Sequence, residues 1–100
     1  MIRPATPLTL VLITYTDMDA IERLRPAHVE WIREAIDAGV MLLAGRRDDA
    51  AGGVLLFRGT PEHVRPVAES DPFVTGGGAT IELVGFPANL AADALAGVLG

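Results

Sequence analysis

No cysteine occurs in the chain, which removes disulfides, thiolate nucleophiles, iron–sulfur clusters and thiolate zinc sites. Lysine is missing too. All eight basic side chains are arginines, and thirteen acidic residues leave a formal net charge of −5. Nucleic-acid binders carry basic patches, so this balance argues against that class of partner. No apolar run is long enough to span a bilayer; Leu8–Ile13 falls far short. The first residues lack the basic lead and small-residue cleavage site of a secretory signal. A cytoplasmic protein with no membrane partner is the expectation. The two histidines show no His-x-His or His-x-x-x-His spacing, so no metal site is expected. Gly76-Gly77-Gly78 has neither a following helix start nor a lysine, and is not a phosphate loop. No cofactor is expected.

What remains is an apolar chain: 50% of its 100 residues are hydrophobic and 21% are charged. That length fits one domain over residues 1–100, with a core from about 8 to 86 and a C-terminal extension over 87–100. The stretch Arg25–Gly39 organises it. Wound at 100° per residue, it places Val29, Trp31, Ile32, Ala35 and Ile36 on one arc and Glu30, Arg33, Glu34 and Asp37 on the other. Pro26 suits the first helical position and Gly39 the residue past the end. His28 then falls in the first turn, in the middle of the apolar arc.

Met1–Pro7 reads as an irregular lead-in and Leu8–Tyr15 as a central strand, apolar on both faces. Thr16–Leu24 reads as a polar connection with a short helical turn near Asp19–Arg23. Val40–Ala44 and Val54–Arg58 form a hairpin around the polar loop Arg46–Gly53. Thr60-Pro61-Glu62 opens a second helix, which Pro66 should kink or shorten and which Asp71-Pro72 ends. Phe73–Gly78 is a loop, Ala79–Phe86 the fourth strand, and Asn89–Leu99 a weak terminal helix. The order β-α-β-β-α-β is that of an α+β, ferredoxin-like domain with a four-stranded antiparallel sheet. Two helices cover one face of such a sheet. Strands apolar on both sides then call for a partner on the other face, and a homodimer packed sheet to sheet supplies it.

In this topology the β1–α1 connection, the β2–β3 hairpin and the approach to β4 share one edge. They bring together His28, Asp71, Arg25, Tyr15 and Arg46, leaving His63 at the opposite edge. A carboxylate that fixes the tautomer of an imidazole prepares it as a general base, and Asp71 is placed to do so for His28. Arg25 can hold a carboxylate or enolate, Tyr15 can line the pocket or donate a hydrogen bond, and Arg46 can bind an anion at the rim. Plainer readings satisfy the same pattern. His28 can be a buried histidine that only hydrogen-bonds Asp71, and Asp71-Pro72 a helix stop. Arg25 can form a structural salt bridge, and Arg46 and Arg47 a solvated hairpin tip with Asp48 and Asp49. Trp31 reads as core, and Glu82 as the one acid within the fourth strand.

Four short blocks carry a resemblance to a known family: Arg25-Pro26-Ala27-His28, Leu42-Leu43-Ala44-Gly45, Gly52-Gly53-Val54, and Asp71-Pro72-Phe73-Val74 followed by glycines. From about Leu8 to Phe86 the chain resembles the YCII-related family. The resemblance implies a dimeric α/β barrel, akin to muconolactone isomerase and to cofactor-free monooxygenases of antibiotic pathways. It also implies an active site on the motif histidine and aspartate, which fall on His28 and Asp71. A member acting on a chlorinated hydroxyquinol is a dehydrochlorinase, which gives elimination a precedent. The chain departs from the family pattern at Arg46, where a proline commonly follows Ala-Gly, and at Pro66. Together these readings favour a small cofactor-independent enzyme, a lyase, isomerase or cyclase moving a proton on a small cyclic or aromatic substrate. Cofactor-free oxygenation and non-catalytic ligand binding are the alternatives.

Overall fold

The computed structural model describes residues 5–99. Its elements are β1 (Thr6–Tyr15), α1 (Met18–Asp37), β2 (Met41–Arg46), β3 (Gly52–Arg58), α2 (Pro61–Glu69), α3 (Pro72–Thr75), β4 (Ala79–Ala88) and α4 (Asp93–Leu99). Four strands form one sheet in the order β2-β3-β1-β4, with every neighbouring pair antiparallel. The expected α+β, ferredoxin-like arrangement is therefore present. Part of the expected lead-in over Met1–Pro7 lies outside the described residues; from Thr6 the chain is already in β1.

Alternation along the strands sorts the side chains. Val11 and Ile13 of β1 and Leu55 and Phe57 of β3 point to the helical side. There they pack with Ile21 and Ala35 of α1, Val64 of α2 and Phe73 of α3 in the main core. Thr9 shares that side fully buried, its hydroxyl donating to the Gly59 carbonyl at 2.8 Å. The other face carries Leu8, Leu10, Leu12, Val54, Leu56, Val84 and Phe86 by register. At one end α4 folds over it, where Leu8 and Ala88 are buried with Leu56, Ala96 and Leu99 against them. The Thr6 hydroxyl to the Leu99 carbonyl (2.6 Å) and Arg58 to the Val98 carbonyl (3.2 Å) hold it there. The rest of that face is open. Among the described residues no helix is long and apolar enough to cross a membrane.

The hairpin strands take in Arg46 and Gly52–Gly53, expected as loop, and β4 runs to Ala88, two residues into the expected extension over 87–100; the helices differ more. Helix α1 begins at Met18, capped by the Asp17 side chain, which accepts from the Ala20 N–H at 3.2 Å. Ala20, Ile21 and Leu24 give its first two turns an apolar stripe, so the segment read as a connection is helix. Pro26 consequently lies inside the helix, where it withholds an N–H from the Glu22 carbonyl. Helix α2 continues through Pro66 to Glu69. Asp71 does more than stop it: its side chain caps α3, with Pro72 at the first position, where a loop was expected.

Gly52, where β3 begins opposite Thr14, is buried, and a Cβ there would collide with the Ile13 carbonyl. Gly52→Ala therefore forces β1 and β3 apart. We expect it to cost about 1–3 kcal/mol of unfolding free energy, measured by urea denaturation. An unchanged midpoint would mean that the two backbones approach less closely than described.

Candidate active site

Because α1 starts at Met18, His28 sits in mid-helix, away from any helix-terminal dipole. It lies where two stripes of α1 meet. On one flank Ile21, Leu24 and Ala35 face the core. On the other Arg25, Val29 and Ile32, at i, i+4 and i+7 with His28 at i+3, face a cavity. The imidazole is thus packed on its core side and open to the cavity on the other.

Three contacts fix the ring. Nδ1 lies 2.7 Å from Oδ1 of Asp71, which is 1% exposed. The ring stacks on Phe73 with centroids 3.8 Å apart and planes 10° from parallel. Trp31 flanks it at 6.0 Å. Phe73 is itself held edge-on by Tyr15, at 5.6 Å. Trp31 donates from Nε1 to the Ser70 hydroxyl (3.0 Å), which donates to the Val67 carbonyl (2.6 Å), tying α1 to the end of α2 one residue before Asp71. Asp71 Oδ1 also accepts the Phe73 N–H at 3.0 Å. Its Oδ2 is buried with no hydrogen-bond partner among the described residues. An ionised carboxylate can only accept, so this geometry puts the proton of a neutral imidazole on Nδ1. Nε2, which has no partner among the described residues, is left with its lone pair.

The cavity beside the ring measures about 290 Å³, room for one small ring. Its apolar walls are Ile13, Val29, Ile32 and Leu55, and Gly53 leaves its floor without a side chain. Tyr15, Arg25 and Arg46 supply polar groups besides His28. Arg25 hydrogen-bonds Glu22 at 2.9 Å. That bond, aided by the neighbouring Tyr15 and opposed by burial, holds its guanidinium above the ordinary range. Linkage runs in the usual direction for a raised cation: the stabilisation is complete below the unfolded value and lost only in strong alkali. Arg25 is thus a permanent positive charge at the cavity. Arg46 points to the cavity, whereas Arg47 lies on the other face and pairs with Asp49 at 2.7 Å. Arg47 is thus paired at the hairpin tip, as expected, and Arg46 is exposed there while also bordering the cavity. His63 is exposed at the start of α2 beside Thr60 and does not line the cavity. Among the described residues no three His, Asp or Glu side chains gather as metal ligands would.

Residues 7–87 match the family profile described as the YCII-related domain. The chain belongs to the YCII-related family. Among solved structures this family member is similar to 5-chloro-2-hydroxyhydroquinone dehydrochlorinase of Burkholderia phenoliruptrix in complex with 2,5-dihydroxybenzoquinone. The two are 17% identical over 77% of this chain and 90% of that one, with a TM-score of 0.63. At that identity the likeness concerns the fold. No curated protein sequence matches.

The five residues singled out from the sequence of this YCII-related chain lie together, four on the cavity and Asp71 behind His28. Phe73 was missed, although Asp71-Pro72 repeats the cap-then-proline signal of Thr60-Pro61 and would have revealed α3. Val29 and Ile32 of the apolar arc border the cavity, and Ile32 also packs against the core; the i, i+3, i+4, i+7 run from Arg25 is the signal for a cavity wall. Because Asp71 both caps α3 and holds His28, its variants should separate. Asparagine can still cap and accept, so Asp71→Asn should keep most of the stability. Asp71→Ala loses both bonds and should cost about 2–3 kcal/mol. Equal thermal midpoints for Asp71→Ala and wild type would show that the pair does not hold these elements.

Proposed function

We propose that this protein is a small cofactor-independent enzyme in which His28, oriented by Asp71, moves a proton on a cyclic or aromatic metabolite. The 2.7 Å contact between His28 Nδ1 and a buried carboxylate, with the ring bordering a cavity, carries the reading. A substrate O–H or C–H gives its proton to Nε2. The electron pair left behind moves into the ring system, where it can expel a leaving group with its bonding electrons or settle as an enolate. The imidazolium then returns the proton to product or to solvent. Arg25 and Tyr15 stand where negative charge develops. The dehydrochlorinase of similar fold acts, by its name, on a chlorinated hydroxyhydroquinone, which makes elimination the first reaction to try.

The assay follows chloride release and the ultraviolet spectrum with chlorinated hydroxyquinols, and isomerisation with unsaturated lactones. His28→Gln should lower kcat/KM about 10²–10⁴-fold while the protein stays folded. Turnover that is indifferent to this substitution removes the proposal. Oxygen consumption tied to turnover would instead identify the oxygenation chemistry.

The open part of the sheet supports a second proposal, a homodimer. Leu10 with Val84 and Leu12 with Glu82 are register pairs on that face, and Val84 and Phe86 are 44% and 42% exposed. Apolar surface of this kind is covered when a second copy packs against it. Arg47 and Glu82 border one groove there and can pair across a two-fold axis. Sedimentation equilibrium should give twice the chain mass for wild type and the single mass for Val84→Glu. A monomeric wild type at micromolar concentration refutes the dimer.

A further inference from the structure

We propose that Arg46 selects substrates bearing a carboxylate, which makes the substrate of this cavity a small one-ring organic acid. This deepens the proton-transfer reading and rests on it for the role of His28. The two arginines at the cavity are not equivalent. Arg25 is bound to Glu22 at 2.9 Å, so its charge is already matched. Arg46 has no acidic or hydrogen-bonding partner among the described residues. Its neighbour Arg47 takes the nearby Asp49. Strand alternation turns Arg46 toward the helical side, opposite Gly53 in the β2–β3 register. Gly53 has no side chain to occupy the space over the sheet, and a Cβ there would come within 3.2 Å of the Gly45 carbonyl. Arg46 therefore stands exposed at the rim of a cavity whose floor is bare at Gly53 and whose walls include the hydrophobic Ile13 and Leu55.

An unmatched guanidinium on an apolar cavity is a receptor for a planar anion. Its fork can meet both oxygens of a carboxylate. The walls that follow suit a ring. His28 borders the same cavity from α1, while Arg46 enters from β2. A ligand anchored by its carboxylate on Arg46 thus offers the rest of its ring to Nε2. At about 290 Å³ the space admits one ring with small substituents.

Binding of 4-hydroxybenzoate and 4-hydroxybenzamide, probes of equal size that differ in charge, tests this by calorimetry. The ratio of the two constants is the readout. Wild type should favour the acid by about tenfold or more, and Arg46→Gln should bring the ratio close to one while leaving the amide unaffected. His28→Gln should keep the preference, and Arg25→Gln, which removes the other cavity charge, should lower it less than Arg46→Gln does. The proposal is overturned if the preference survives in Arg46→Gln, if it vanishes in Arg25→Gln, if wild type shows none, or if the acid does not saturate below roughly 10 mM. Because no turnover is measured, failure of the proton-transfer chemistry leaves this result standing, and the converse also holds.

Discussion

A buried carboxylate sets the terms for this fold. Asp71 is 1% exposed, and a carboxylate removed from water is costly unless it is paired and hydrogen-bonded. Its two partners, the Phe73 N–H and His28 Nδ1, both meet Oδ1, while Oδ2 has none. Removing either partner concentrates the penalty on the other. The pair therefore dictates the spacing of α1 and α3. A helix of four residues is too short to persist alone. Helix α3 persists because its cap is bonded to α1 and because fully buried Phe73 packs under the His28 ring. Tyr15 against Phe73 brings the end of β1 into the same assembly. One interaction thus fixes the tautomer, the ring plane and the local backbone.

The β2–β3 hairpin makes an equally consequential division. Consecutive arginines, Arg46 and Arg47, land on opposite faces because strand side chains alternate. One borders the cavity; the other borders, with Glu82, a groove on the open face. A slip of one residue in this register would exchange them. The register does shift between Met41 and Leu43, so the irregularity near Leu42 sets which arginine serves the cavity. The turn beyond is tied down by Arg47 and by the Ala51 N–H, both bonded to Asp49. Those bonds, the Ala51 N–H foremost, hold the Asp49 carboxyl below its ordinary range. Their contribution is present above the unfolded value and fades as pH falls through the folded one.

Much of this was legible in the sequence, for definite reasons. Strand order followed from the β-α-β-β-α-β pattern, and the meeting of His28 with Asp71 followed from the edges that such a topology shares. Errors gathered where one residue type has two meanings. Proline at a first helical turn and proline inside a helix look alike in a string, and Pro26 was read as the first when it is the second. Asp-Pro ends one helix at Ser70 and starts the next at Pro72; only the ending was read. Asp17 was overlooked as a cap because the residues after it, Met18 and Asp19, look exposed, and the apolar stripe begins only at Ala20. The fate of α4 could not be inferred, since a weakly amphipathic tail finds its place only when Leu8 and Leu56 leave a surface for it.

The charges around the cavity show why a pair, rather than a lone histidine, suits the proposed chemistry. Arg25 is balanced by Glu22, and Asp71 is an anion behind a neutral imidazole. In the proposed cycle a proton taken by His28 would create a cation 2.7 Å from the buried carboxylate, turning a lone buried anion into a matched ion pair. The substrate simultaneously gains the negative charge that Arg25 can face. In a site walled by Ile13, Val29, Ile32 and Leu55 such pairings are weakly screened. They are also already in place, because the ring cannot swing while Phe73 and Asp71 hold it. The charge at Arg46 is independent of that cycle. In the proposed role it would hold a bound carboxylate equally before and after proton transfer, which is the behaviour of an anchor that sets affinity rather than of a group that lowers the barrier.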